Sequence, residues 1–339
     1  MVVMAIGQRT SAQQQSFTLA LFERYLEALR VEAGIPGMSG MVLQGGSLLW
    51  ERNFGYRDVE GAIPPEATTP YAIGGLSQIF GSTLLLKSCI DEGFRQPTDL
   101  ITDWIPDYAE TTATLVQLLA HVQSNGAYKY DLARFSWLTR VTEACASTPY
   151  PKLLGEDVFS RLGLTDSVPG AALATPTAAD FEMFDPDTLT RYGDVVRRMA
   201  VPYTVDIRGR ATRSEVPAVR ANASTGAVTS VADLARFDAA LDRAILLTAP
   251  TQVAAWSRPA PHLPTGLGWF VQNYNNQAVV WQFGIVPDAY SSLLVKLPNR
   301  RLTFILLANS NGLSAPFSLE NGDVTASLFA RTFLRLFVP

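Results

Sequence analysis

Histidine and cysteine are scarce in this chain of 339 residues, which holds two of each: His121 and His262, Cys89 and Cys145. Two histidines cannot form a histidine-rich metal cluster, and the cysteines lack the spacing of a metal site, so no metal and no other cofactor is expected. Both cysteines sit in apolar, helix-like surroundings, which reads as buried free thiols rather than a disulfide. A run of about 18 apolar residues is missing as well, which excludes a membrane-crossing helix. No basic tract occurs, and the net charge of −4 is dispersed along the chain, so nucleic acid is excluded as a partner. The opening residues, MVVMAIGQRTSAQQQ, lack a basic stretch followed by a long apolar core. They make a poor signal peptide, and the expected location is cytoplasmic.

What is present is apolar and patterned. A hydrophobic content of 47% at this length allows a large core, in two domains or in one carrying a big insertion. Leu19, Phe22, Leu26 and Leu29 recur at helical spacing and predict an amphipathic helix over Ser16–Val31, stopped by Gly34 and Pro36. Met38–Leu43 and Leu48–Phe54 flank Gln44-Gly45-Gly46-Ser47, a hairpin signature. From Ile73 to Ala200 the pattern is mostly helical, most clearly at Leu84–Ile90, Leu115–His121 and Phe135–Cys145. Ala171–Ala218, rich in Pro, Thr and Asp, reads as a long loop with short helices. Val231–Leu241 returns to helix. Four strands follow at Gly268–Val271, Ala278–Trp281, Ser291–Leu297 and Leu302–Leu307, and Val324–Phe337 closes the chain as a helix.

Strands at both ends around a helical middle predict an α+β fold, an α/β sandwich in which one antiparallel sheet is built from both chain ends. The expected division is a sheet domain over residues 14–70 and 225–339, with a helical insert over 71–224. A cleft is expected at their seam.

Several local sequences, in order, resemble the serine β-lactamase and penicillin-binding superfamily, especially class C β-lactamases and related esterases. They are Ile35-Pro36-Gly37 with the hairpin and Gly55-Tyr56-Arg57-Asp58, then Leu118-Leu119-Ala120-His121, then Arg161-Leu162-Gly163-Leu164-Thr165-Asp166. Thr225-Gly226 with Ser230-Val231-Ala232-Asp233-Leu234, Gly266-Leu267-Gly268-Trp269 and Leu307-Ala308-Asn309 complete the series. The resemblance runs from about Ile35 to Leu336 and implies that family's fold.

It also implies three catalytic motifs, and the chain departs from each. Where the family has Ser-x-x-Lys, a serine nucleophile beside a basic lysine, Tyr71–Phe80 aligns Gly75 with the serine and Gln78 with the lysine. A second register makes Ser77 the nucleophile and puts Phe80 in the lysine's place; neither register supplies a base. The Tyr-x-Asn motif aligns with Tyr130-Asp131-Leu132, keeping the phenol and losing the amide. The strand motif Lys-Thr-Gly aligns with Gln282-Phe283-Gly284, its cation replaced by a neutral amide. Four coordinated losses read as abandonment of acyl transfer.

The resemblance then implies a cleft lined by Gly75, Ser77, Gln78, Tyr130, Asp131, Gln282 and Phe283, with Asp288 at its mouth. Tyr130 reads either as a general acid or as a structural phenol. Asp131 reads as a helix cap before it reads as a catalyst. Asp288 reads as a turn residue or as a partly buried base. His121 reads as a packed helix residue. The partner expected is a small organic molecule. Three functions stay open: an enzyme working by non-covalent acid–base chemistry with Tyr130 and Asp288, a non-catalytic binding protein, and an esterase using Ser77.

Overall fold

The computed structural model describes residues 2–93 and 95–338, the side chains of residues 2–12 excepted. The first helix spans Val2–Glu32, longer than the expected segment. Among the described residues ten strands follow in chain order: β1 (Gly37–Gln44), β2 (Ser47–Gly55), β3 (Tyr71–Ala72), β4 (Tyr203–Val205), β5 (Ala211–Arg213), β6 (Val228–Thr229), β7 (Phe270–Tyr274), β8 (Gln277–Val286), β9 (Tyr290–Leu297) and β10 (Leu302–Ala308). Six of them form one antiparallel sheet in the order β2-β1-β10-β9-β8-β7, so both chain ends build it, as the pattern predicts.

The sheet is covered on both faces, which is why its central strands are apolar throughout. Along β10, Phe304 and Leu306 enter one core while Ile305 and Leu307 enter the other, the period of two that a pleated strand imposes. On the first face the N-terminal helix and the closing helix Leu328–Phe337 lie together: Phe22 and Phe333 pack on Phe304 at ring-centroid distances of 5.3 and 4.8 Å. On the second lie the helix Val231–Asp242 and the helical region. The β1–β2 hairpin turns through Gly45 and Gly46, at φ of 61° and 79°, a conformation that a side chain would strain.

The chain leaves this sheet after β2 and returns to it at β7; in between, the two short strands β3 and β6 pair with each other in a separate sheet. Between them, Gln78–Leu85 continues into a π-helical stretch, Leu86–Asp91; Leu115–Leu119, Leu132–Ser136 and Leu138–Ala146 follow. The segment expected to be mainly loop contains a helix of 12 residues, Pro186–Arg197, and the β4–β5 hairpin. That helix buries only a narrow stripe, Leu189, Tyr192 and Val195, so its periodicity is diluted by charged residues.

One expectation is corrected outright. Cys89 and Cys145 form a disulfide, with Cα atoms 5.4 Å apart. They are 56 residues apart in sequence, and only the lateral packing of two helices brings them together. Disulfides persist in oxidising compartments and are rare in the cytoplasm, which weighs against the cytoplasmic expectation.

Candidate functional site

Glycines press the turn Gly74–Ser77, which starts the helix at Gln78, onto strand β8. A Cβ on Gly284 would lie 1.8 Å from the Ile73 carbonyl oxygen, so only glycine allows this approach. Ser292 Oγ donates to the same carbonyl at 2.8 Å. Gly74 has a φ of +53°, and a Cβ there would fall 2.6 Å from the Ile285 carbonyl oxygen.

Gly75 is next. A Cβ built on it would stand 2.7 Å from the Tyr130 hydroxyl and 3.2 Å from the Phe283 carbonyl oxygen. The Tyr130 ring stacks on Phe283 at 5.4 Å and lies against His121 at 4.6 Å. The phenol oxygen therefore crowds the direction in which any side chain at position 75 would grow.

A directed chain of hydrogen bonds holds that phenol. The Asp131 backbone N–H donates to His121 Nδ1 at 3.1 Å. Nδ1 thus carries no proton, and the neutral ring has its hydrogen on Nε2. His121 Nε2 then donates to Gln78 Oε1 at 2.7 Å, and Gln78 Nε2 donates to Tyr130 Oη at 2.8 Å. Tautomer and amide orientation fix each other, so the direction of the chain follows from its first link. Among the described residues nothing accepts the Tyr130 hydroxyl hydrogen.

Burial sets the protonation states. It lowers the pKa of His121 to about 3, with Arg134 adding to the effect and Asp131 opposing it. It raises the Tyr130 phenol well above its ordinary value, against the hydrogen bond from Gln78. At neutral pH the site is therefore an uncharged imidazole, an amide and a phenol, with no ionised base among them.

The other anticipated residues are placed differently. Asp131 caps the helix Leu132–Ser136, its carboxylate accepting from Arg134 N at 2.9 Å. Ser77 is 1% exposed, and its Oγ accepts from Ala227 N at 3.2 Å. Gln282 is also 1% exposed: its Nε2 donates to the Gly268 carbonyl and its Oε1 accepts from Phe283 N. Asp288 lies exposed in the β8–β9 turn at a φ of 58°, with its main-chain oxygen accepting from Ser214 Oγ. The expectation of a partly buried base is corrected there: a tight turn at the sheet's rim exposes the carboxylate.

The structure gathers Gly75, Gln78, Tyr130, Asp131 and Phe283, and it adds His121. That residue is not inside a helix. It follows the end of Leu115–Leu119 with a left-handed backbone, φ 55°, and its ring meets Gln78, Tyr130 and Phe135. Its signal in the sequence was slight: a helix-ending polar residue among apolar neighbours, which needed partners once buried.

A cavity of about 730 Å³ opens beside Gly74, between Ile285–Pro287, Thr225-Gly226, the 213–219 segment and the end of the helix Pro186–Arg197. Its wall is chiefly aliphatic, with Val201, Val216, Val228 and Ile285. It reaches Gly74 but is not lined by Tyr130 or Gln78, so the polar chain and this cavity are neighbours rather than one surface. Among the described residues no group of His, Cys, Asp and Glu could hold a metal ion.

The family model described as Beta-lactamase matches residues 22–326. No curated protein sequence matches the chain. Among solved structures, the octameric penicillin-binding protein homologue from Pyrococcus abyssi superimposes with a TM-score of 0.73 at 17% identity, covering 93% of this chain and 77% of that one. The D-amino acid amidase from Ochrobactrum anthropi SV3, complexed with L-phenylalanine amide, gives 0.69 at 17% identity, with 93% and 99% covered. The penicillin-binding protein from Bacillus halodurans gives 0.68 at 15% identity, with 84% and 94% covered. At these identities the likeness is one of fold.

Proposed function

The chain belongs to the β-lactamase family, and on that premise we propose that it has given up acyl transfer and holds a small organic molecule non-covalently at the seam. One observation carries this reading: the Tyr130 hydroxyl, fixed by Gln78 and His121, crowds the space a nucleophilic side chain at position 75 would need. Acyl transfer needs a nucleophile beside a base. None of the four lysines, at positions 87, 129, 152 and 296, follows a serine by three residues. Lys87 is paired with Asp157 and Glu92, and Lys296 is buried against Asp238 and Asp242. Ser77, the other candidate nucleophile, is spent on a backbone N–H. The aliphatic cavity beside Gly74 supports a ligand of largely apolar character.

The test is intact-protein mass after incubation with a fluorophosphonate and, separately, with a reactive β-lactam. The reading requires no adduct on folded protein; a stoichiometric adduct mapped to Ser77 would restore the esterase.

A second reading rests on the Tyr130 hydroxyl hydrogen. Its oxygen accepts from Gln78 while its own proton remains available, so it can donate to a bound molecule as a general acid. Turnover lost in Tyr130→Phe, with ligand binding retained, would support this enzyme; binding without turnover in the wild type supports the binding protein.

A further inference from the structure

Two helices leave the polar site side by side. One starts at Gln78 and runs on through Leu86–Asp91; the other is capped by Asp131 and runs on, past Trp137, through Leu138–Ala146. Leu84 and Leu85 of the first share a core with Leu138 and Val141 of the second. At their near ends they are joined by the Gln78–Tyr130 hydrogen bond, with His121 stacked on Phe135 of the second helix at 5.2 Å. At their far ends they are joined by the Cys89–Cys145 disulfide. Cys89 lies roughly 16 Å beyond Gln78, at ~1.5 Å of rise per residue. Cys89 is fully buried, whereas Cys145 is partly exposed.

We infer that the Cys89–Cys145 disulfide is a redox-sensitive brace that sets the alignment of Gln78 against Tyr130 by fixing the far ends of the helices carrying the site. The inference stands on the packing and the hydrogen bonds alone and needs no ligand, so it can fail independently of the proposed function. A small dithiol reductant reaches the bond from the Cys145 side. Its thiolate attacks Cys145 Sγ, forming a mixed disulfide and releasing the Cys89 thiolate, which takes up a proton. The second thiolate of the reductant then displaces Cys145, which is protonated in turn. The protein gains two electrons and two protons, and the reductant becomes a disulfide. With the far ends free, the helices can shift relative to each other, and a directional contact 2.8 Å long is sensitive to such a shift.

Cys89 and Cys145 are thus positioning residues, and His121 reports on them. The chain has two histidines, so a His262→Gln variant labelled with ¹⁵N-histidine gives one imidazole to follow by long-range ¹H–¹⁵N correlation. Oxidised protein should show two well-separated nitrogen shifts, those of a fixed ring protonated on Nε2. After dithiothreitol, with two free thiols confirmed by titration and the fold confirmed by circular dichroism, the two shifts should move towards a common value as the tautomer ceases to be fixed. A Cys89→Ala/Cys145→Ala variant should give the same spectrum without reductant. Unchanged His121 shifts in the reduced, folded protein would overturn the inference. Collapse of the whole fold on reduction and in the variant would overturn it equally, because the bond would then staple the molecule globally rather than brace the site.

Discussion

The Tyr130 hydroxyl stands 2.7 Å from the position of a Cβ on Gly75, a separation that real Cβ atoms do not tolerate. The two residues exclude each other's alternatives: a side chain at position 75 requires the phenol to move, and the phenol is held by Gln78 at 2.8 Å. On the proposed reading, putting back single residues of the family motif should therefore not confer acyl transfer.

Gly75→Ser should destabilise the protein by about 1–3 kcal/mol, the usual cost of overpacking. The cost should shrink when Tyr130→Phe removes the hydroxyl in the same chain. Denaturant unfolding of both single variants and the double variant measures the coupling directly. Strictly additive effects would mean that the two positions do not compete for space.

His121 should make stability fall with acid. Its folded pKa, about 3, is below the ~6.5 of the unfolded chain. As pH falls from that unfolded value towards 3, the unfolded state binds a proton that the folded state refuses. This contribution is whole above pH ~6.5 and declines by up to about 1.4 kcal/mol per pH unit below it. Unfolding free energies at pH 7 and pH 5 should differ by up to about 2 kcal/mol more in the wild type than in His121→Gln. Equal pH dependence would show that His121 is solvated or charged in the native protein.

Loss of the disulfide should cost about 4 kcal/mol on the chain-entropy account, given the 56-residue separation of its cysteines. The Cys89→Ala/Cys145→Ala variant should accordingly unfold at lower denaturant than the oxidised wild type. An unchanged midpoint would mean that the helices are held wholly by their packing.

The sheet was legible because its strands carry their own evidence. β1 and β2 flank a Gly-Gly turn, and β9 and β10 are apolar runs too short for helices. The helix Pro186–Arg197 was not, because its three buried side chains are outnumbered by charged neighbours. The site was partly legible. Gly75 and Gln78 could be singled out as departures from the motif that the resemblance implies, Tyr130 as the residue it keeps, and Asp131 from its place before a helix. His121 could not be, since its role depends on a left-handed turn and on partners 43 and 10 residues away. The disulfide was hidden for the same reason: lateral packing of helices leaves no trace in local spacing.

The most direct test of the account is covalent labelling. Folded, oxidised protein is incubated with a fluorophosphonate and with a reactive β-lactam, and its intact mass is recorded beside that of an active serine hydrolase as a control. The account predicts full labelling of the control and an unchanged mass for this chain, since Gly75 offers no nucleophile and Ser77 is buried without a base. A one-to-one adduct on Ser77, abolished by Ser77→Ala, would contradict it.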